Sequence, residues 1–462
     1  MLTKNIDENT KVIDKDLRVQ ESFDLIKKSM IINNRNAIIY CIDGFVKDGI
    51  LMKTLLSFSS IKDESYFKDA ETFAENCVPY FEVTTEKDPK LIIQNILCGV
   101  TALIIDGMES AVLMDMRTYP QRQTSEPDDD KVMRGSKDGF VETMISNVAL
   151  IRRRIRDINF TVKPFFVSHC SKSDVAVCYM DNKVDKKLLR EITDRINKID
   201  VDSLAMNQQS LIEAIYPKKW FNPFPKIKYT ERPDSAAANL LKGNIVILVD
   251  NSPSALILPT SIFDITEEAD DYYFPPITGS YLRVARLLIT IGALLITPLW
   301  LLMLKNPDLV PEVFRFIVNI EECSIPVFWQ LILLEVTIDG LRLAALNTPN
   351  SLSGTLGIIG AIALSEFSVS AGWFNTETIL YMAFVTIASF SQPNYELGYC
   401  LKFMRVIILI LTSLFNLWGF IAGLMITLIL LVTNKTVSGK SYLYPLIPFN
   451  GKAFLHKVLR FR

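Results

Sequence analysis

LRVARLLITIGALLITPLWLLML (282–304) decides how the rest of this chain is read. Between Leu287 and Leu304 it holds no ionisable side chain. That core is just long enough to cross the roughly 30 Å hydrocarbon layer of a bilayer. Arg283 and Arg286 stand at its N-terminal edge and mark a cytoplasmic end. Outward from it the chain divides. Before Tyr281 charges are dense and apolar runs short; after Leu287 long stretches carry almost no charge. The averages of 49% hydrophobic and 22% charged residues, with a net charge of −2, conceal this division.

Toward the C-terminus, IPVFWQLILLEVTIDGLRLAAL (325–346) carries Glu335, Asp339 and Arg342 on one helical face. SLSGTLGIIGAIALSEFSVSAGW (351–373) is rich in small residues that allow close helix packing and holds one acid, Glu366. TETILYMAFVTIASFSQP (376–393) follows a tight connection. VIILILTSLFNLWGFIAGLMITLILLVTN (406–434) has no charge. As one helix this last run would be more than about 40 Å long, so it is either one tilted span or two short ones broken near Asn416–Gly419. No acid follows Glu396, while Lys435, Lys440, Lys452, Lys457, Arg460 and Arg462 crowd the tail, which places the C-terminus in the cytoplasm. Both ends on one side require an even number of crossings, four or six.

Toward the N-terminus no apolar leader precedes the first charged stretch, and residues 1–20 read as a flexible lead-in. Then strand-like and helix-like stretches alternate: NAIIYCI (36–42), VKDGILMKTLLSF (46–58), CVPYFEV (77–83), PKLIIQNILCG (89–99), and a strand pair around Gly107. A second unit runs from a helix over ETMISNVALIRRRIRD through two strands and a helix. RPDSAAANLLKG then forms a helix stopped by Gly243, and a hairpin turns at Asn251–Pro253. This alternation favours a mixed or parallel sheet covered by helices. The expected architecture is an α/β cytoplasmic region of two subdomains (21–140 and 141–280), an α-helical polytopic membrane domain (281–434) and a basic cytoplasmic tail (435–462).

The chemistry-bearing residues exclude more than they assign. Gly439-Lys440-Ser441 lacks the leading glycine of a phosphate loop and trails a membrane helix. No nucleophile elbow or dinucleotide fingerprint is present, so no enzyme, cofactor or nucleic-acid partner is expected. The seven cysteines form no CxxC pair, and His169, Cys170 and Cys178 lack a fourth metal ligand. Asp128–Asp130 read as a solvated loop. Arg152–Arg154 with Arg156 could grip a phosphate or a lipid headgroup, but their helical setting favours salt bridges to a neighbouring subdomain. The membrane acids are sharper. An ionised carboxylate in hydrocarbon costs at least about 2.5 kcal/mol. Glu335, Asp339 and Glu366, with Arg342 on the same polar face, therefore mark an ion route facing an oligomer axis, or an internal salt-bridge lock in which Glu335 or Asp339 pairs with Arg342.

Three long blocks carry a resemblance: EPDDDKVMRGSKDGFVETMISNVALIRRRIRD (126–157), RPDSAAANLLKGNIVILVDNSPSALILPTSIFD (232–264), and TPNSLSGTLGIIGAIALSEFSVSAGWFNTETILYMAFVTIASFSQPNYELG (348–398). Together they resemble the spore germinant-receptor A-subunit family across roughly residues 20–450. The resemblance implies a subunit of an oligomeric ion-conducting complex in the inner membrane of a spore, releasing cations during germination. It would act beside other copies of itself, a second small membrane protein and other germination proteins. The alternative it leaves open is a membrane-anchored germinant-sensing or scaffold protein that does not itself conduct. Ser136 stands where nutrient receptors usually carry proline, which separates this chain from direct nutrient sensing. The signature implies a subdomain interface built from Arg134, Gly135, Asp138, Gly139, Arg152, Arg154, Arg232 and Asp234.

Overall fold

The computed structural model describes residues 1–119, 133–216, 221–321, 323–349, 354, 357, 360 and 367–460. The chain forms two compact units. One comprises Met1–Lys218 with Ile227–Pro259, the other Lys219–Lys226 with Thr260–Arg462. The division at Pro259 falls earlier than the expected boundary at residue 280.

In the first unit, residues 1–20 are not a loose lead-in. Helix α1 (Ile6–Leu17) starts at an Asn5 cap and buries Ile6, Ile13 and Leu17. The stretch is polar on average, yet its few apolar residues fall on one helical face, and that face supplies the burial. Strands β1 (Leu25–Ile32) and β2 (Arg35–Ile42) form a hairpin, followed by helices α2 (Asp48–Ser59) and α3 (Ala70–Cys77). Strand β3 (Val83–Glu86), helix α4 (Pro89–Leu97) and a second hairpin, β4 (Thr101–Ile105) with β5 (Ala111–Met114), complete a sheet in the order β1-β2-β4-β5-β3. The expected strand over 77–83 is thus displaced: Cys77 ends α3 and the strand begins at Val83.

Every adjacent pair in this sheet is antiparallel, not mixed or parallel. A helix between two strands ordinarily signals a parallel neighbour pair. Here α4 does join two strands of like direction, but β5 is inserted between β3 and β4 and pairs antiparallel with both. Helices cover both faces, so β4 and β5 are buried along their whole length, which explains their unbroken apolar runs.

The second half repeats the first element by element. Helix α5 (Met144–Arg154) stands for α1, and β6 (Phe160–Val167) and β7 (Ser173–Met180) for the first hairpin. Next come α6 (Lys186–Asn197), α7 (Asn207–Ile215), β8 (Lys228–Thr230), α8 (Pro233–Leu241), β9 (Ile245–Val249) and β10 (Ala255–Leu258). Their sheet order is β6-β7-β9-β10-β8, again wholly antiparallel.

The repetition reaches single hydrogen bonds. Asp106 accepts from the Ile6 amide at the start of α1, and Asp250 accepts from Met144 at the start of α5. Asn9 bonds both backbone groups of Thr3, as Asn147 bonds both of Val141. Gly99 and Gly243 end equivalent helices at φ +96° and +95°, a conformation that L side chains disfavour. With this register in hand, PKLIIQNILCGVTALIIDGMESA (89–111) and PDSAAANLLKGNIVILVDNSPSA (233–255) share Pro, Asn, Leu, Gly, Asp, Ser and Ala at matching places.

The two repeats meet at a buried ion pair. Arg152 Nε and Nη2 donate to Asp24 at 2.7 and 3.0 Å, and both side chains are at most 1% exposed. Arg152 also donates to the Asp157 and Phe160 carbonyls and lies over the Phe160 ring. Ser22 bridges the repeats, donating to Asp24 and accepting from the Val162 amide.

The second unit opens with the short helices α9 (Ile262–Ile265) and α10 (Asp270–Tyr273) and continues with α11 (Pro276–Lys305), α12 (Val327–Asn347), α13 (Thr376–Phe390) and α14 (Tyr395–Thr433). Among the described residues, α11 and α14 are long and apolar enough to cross a membrane. Helix α14 starts well before residue 406, where the charge-free run begins, and is broken at Asn416, whose φ and ψ are 55° and −132°. Of the two readings of that run, the structure adopts the broken one. The second leg folds back on the first: an added Cβ at Gly419 would lie 1.8 Å from the Leu411 carbonyl oxygen, and one at Gly423 would lie 3.0 Å from the Ile408 Cα. Asn306 and Asn416 exchange amide hydrogen bonds at 2.6 and 2.8 Å across the break. Lys305 donates to the Thr412 and Ser413 carbonyls freed there, placing a cation at a helix C-terminus.

Candidate functional site

The helical unit encloses charge at its centre. Glu335 on α12 is 4% exposed and Arg405 on α14 is 2% exposed. Arg405 donates to Glu335 Oε1 from Nε at 2.7 Å, pairs with it through Nη2 at 2.6 Å, and gives Nη1 to the Ala293 carbonyl of α11 at 2.6 Å. Lys402 lies one helical turn before Arg405. Its ammonium pairs with Asp339, donates to the Glu335 carbonyl at 3.1 Å, and stands 3.6 Å from Glu335 Oε2. Two acids four residues apart on α12 thus meet two bases three residues apart on α14, because both spacings keep side chains on one helical face.

This corrects the pairing expected within one helix. Arg342 bonds neither acid; its guanidinium lies over the rings of Phe390 and Tyr399 at 4.6 and 5.2 Å. Nor does Glu335 point outward toward another copy: it is buried against α14 of its own chain. Glu366 lies outside the described residues. Sequence reasoning missed Lys402 and Arg405 because the last span was begun at Val406, just past them. The signal was present in LKFMRV (401–406), two bases at helical spacing in an otherwise apolar stretch.

A second set of charges gathers where α11 begins. Arg286 donates to Asp271 at 3.1 and 3.2 Å and to Glu268 at 2.5 Å, and Arg283 pairs with Glu267 and Asp271. From the tail helix α15 (Gly451–Val458), Lys457 reaches Asp264. The Arg460 amide donates to Ser280 Oγ, and its guanidinium takes the Asp271 and Phe274 carbonyls. Burial pushes the Asp264 carboxyl up, but the Lys457 charge and hydrogen bond, with the Ser261 capping bonds, outweigh it and hold it below the usual carboxylate range. The C-terminal tail is thereby fastened to the end of the helical unit from which α11 starts. Phe263, Thr266, Glu267, Arg283, Arg286 and Lys457 line a small cleft there.

The signature residues divide. Arg152 alone among them is seen bridging the repeats. Arg154 pairs with Asp138 at 2.6 Å; burial would raise that carboxyl, but the bonds from Arg154 and Ser136 hold it low. Arg232, fully buried, pairs with Asp234 and donates to the Ser136 carbonyl. The contacts described for Asp138, Arg154, Arg232 and Asp234 lie within the second repeat. Gly139 is buried, whereas Arg134 and Gly135 are exposed. His169 bonds Asp200 at 2.7 Å, while Cys170 is exposed and Cys178 is sealed in the core. Asp128–Asp130 lie outside the described residues.

Residues 12–462 match the family model described as Bacillus/Clostridium GerA spore germination protein. Stage V sporulation protein AF of Bacillus subtilis (strain 168) is 35% identical over 442 residues, covering 95% of this chain and 89% of that protein. Spore germination protein KA and spore germination protein A1 of the same organism are 26% and 27% identical, over 99% and 93% of this chain and 84% and 88% of theirs. The crystal structure of the N-terminal domain of the A subunit of the Bacillus megaterium spore germinant receptor GerK3 aligns with a TM-score of 0.43 at 26% identity, covering 55% of this chain and 95% of that one. A match that runs from the first helix to the last residue, through both repeats and every described helix of the second unit, means that this chain belongs to the GerA family of spore germination proteins.

Proposed function

We propose that this protein is a multi-pass subunit of an oligomeric, cation-conducting complex in the spore inner membrane, with both the repeat pair and the basic tail on the cytoplasmic side. One observation carries the reading: Glu335, Arg405, Lys402 and Asp339 form an ion-paired layer between largely apolar helices, with Glu335 and Arg405 buried. A helix serving only as an anchor needs no such layer, because each buried charge costs desolvation that its partner only partly offsets. A conduit benefits from one, because charged layers select and gate ions. Lys402 stands between two carboxylates, so it can shift toward Glu335 if Arg405 moves away, leaving no acid unpaired. The tail's return to the end where α11 begins fits the even number of crossings that the charge asymmetry requires. Further copies of this chain, a second small membrane protein and other germination proteins complete the proposed assembly.

The complete pairing of Glu335 inside one chain favours the second reading, a membrane-anchored sensor or scaffold in which the layer only locks helices together. Cation flux from vesicles reconstituted with the protein separates them. Under the conducting reading, Asp339→Asn, at the more exposed acid of the layer, changes flux while abundance and assembly stay near normal. Wild-type protein that inserts and assembles yet passes no cation supports the scaffold instead.

A further inference from the structure

The basic tail has a second character that its charge conceals. Beyond Thr433 the chain exposes Tyr444, Leu446, Ile447, Phe449 and Leu455, and Phe449 is 72% exposed. Soluble surfaces rarely keep apolar side chains in so short a run without a partner. The segment is also fixed in place. Phe449 packs on Phe454, Phe454 on Phe263, and the Ile262 amide donates to the Tyr442 carbonyl. Lys457 ties the same stretch to Asp264 on α9, and Arg460 ties it to Ser280 at the start of α11, where Tyr281 is 69% exposed. Exposed aromatic rings thus stand beside the first turns of a long apolar helix, the level at which tyrosine and other amphipathic rings meet lipid headgroups.

Charge states which surface fits. Lys435, Lys440 and Lys452 are exposed, and no acid lies after Glu396 to neutralise them. A short apolar segment with exposed lysines is the composition that lies in a bilayer interface and is drawn to anionic headgroups. We propose that residues 435–458 form a lipid-facing platform, with Leu446, Ile447 and Phe449 entering the headgroup–acyl boundary of an anionic leaflet and Lys435, Lys440 and Lys452 meeting its phosphates. The proposal rests on the membrane reading of the helical unit, and adds to it a preference for anionic lipid at one leaflet. The tail then does more than mark which side is cytoplasmic: it grips that side.

The test uses the full chain in nanodiscs of phosphatidylcholine alone or with a quarter phosphatidylglycerol. A photoreactive p-benzoylphenylalanine is placed at position 449 or, separately, at position 384 on the exposed face of α13. Expected are phospholipid adducts at both positions, with those at 449 favouring phosphatidylglycerol. Lys435→Gln, Lys440→Gln and Lys452→Gln should each lower that preference by up to about five-fold, while adducts at 384 stay unchanged. Adducts from 449 to protein instead of lipid, or no adduct there while 384 labels lipid, overturn the platform and leave the membrane reading standing. Loss of lipid adducts at both positions overturns both.

Discussion

Arg152 and Arg405 do the same thing in two different units of the chain. Each is a buried arginine bonded to a carboxylate from a distant part of the chain, Asp24 for one and Glu335 for the other. Their surroundings differ. Arg152 is held from every side by Asp24, Ser22, two backbone carbonyls and an aromatic ring, with no second base competing for its carboxylate. Arg405 shares Glu335 with Lys402, which itself shares Asp339. The first arrangement joins the two repeats through one pair. In the second, two acids and two bases lie close enough for more than one pairing.

The contrast is testable, beginning with the largest effect. Arg152→Met leaves Asp24 buried and unpaired, and should destabilise the repeat pair by about 3–5 kcal/mol. Denaturant-dependent pulse proteolysis of the full chain in detergent measures this, and Asp24→Leu added to Arg152→Met should recover much of the loss. No change in the single variant would mean that Arg152 is not the clasp between repeats. In the helical unit the next test is the hairpin at Asn416. Gly419→Val drives a side chain into the Leu411 carbonyl and should cost at least about 1–3 kcal/mol, read as lost abundance in the membrane fraction. Gly340→Ala, where a Cβ meets nothing within 4 Å, should instead leave abundance unchanged or raise it, by up to about 1 kcal/mol of helix propensity.

A smaller effect is set by pH. The Asp264 carboxyl titrates below its unfolded value of about 3.9. Its stabilisation of the tail is therefore present above that value and lost as pH falls through the lower, folded one. Protease release of the tail from protein in detergent should rise only in that acid window, and Lys457→Met should move the rise to higher pH. The smallest effect is expected on the open surface of the repeats. Glu191 and Arg195 pair one turn apart on α6 and both are exposed, so Glu191→Ala should change stability by about 0.5 kcal/mol or less. A loss as large as that of Arg152→Met would overturn the ranking of buried over exposed pairs.

The second repeat was legible except for α7 and the three-residue β8, since strong periodicity and Gly243 delimit the rest. The first repeat was harder. Its opening helix α1 has only three buried apolar side chains among charged ones, and its β3 strand is four residues long and never fully buried. The duplication itself escaped notice because equivalent positions conserve roles more than identities. Asp14 on α1 bonds Lys27 and Tyr40 within its own repeat, where the matching Arg152 reaches across to the other.

What the sequence determined by itself is where this chain changes character. A charge-free run of membrane length, the arginines before it and an acid-free basic tail are local facts, legible without any tertiary contact. It also determined that the acids at 335 and 339 share a helical face, because 3.6 residues per turn is a property of the backbone alone. Which bases they face was decided only by the tertiary structure. Pairing Glu335 with Arg405 depends on α12 and α14 being neighbours, and a one-residue rotation of either helix would carry the charge away. The insertion of β5 between β3 and β4 was settled at the same level, since a strand's partner is chosen by the whole sheet and not by its own residues.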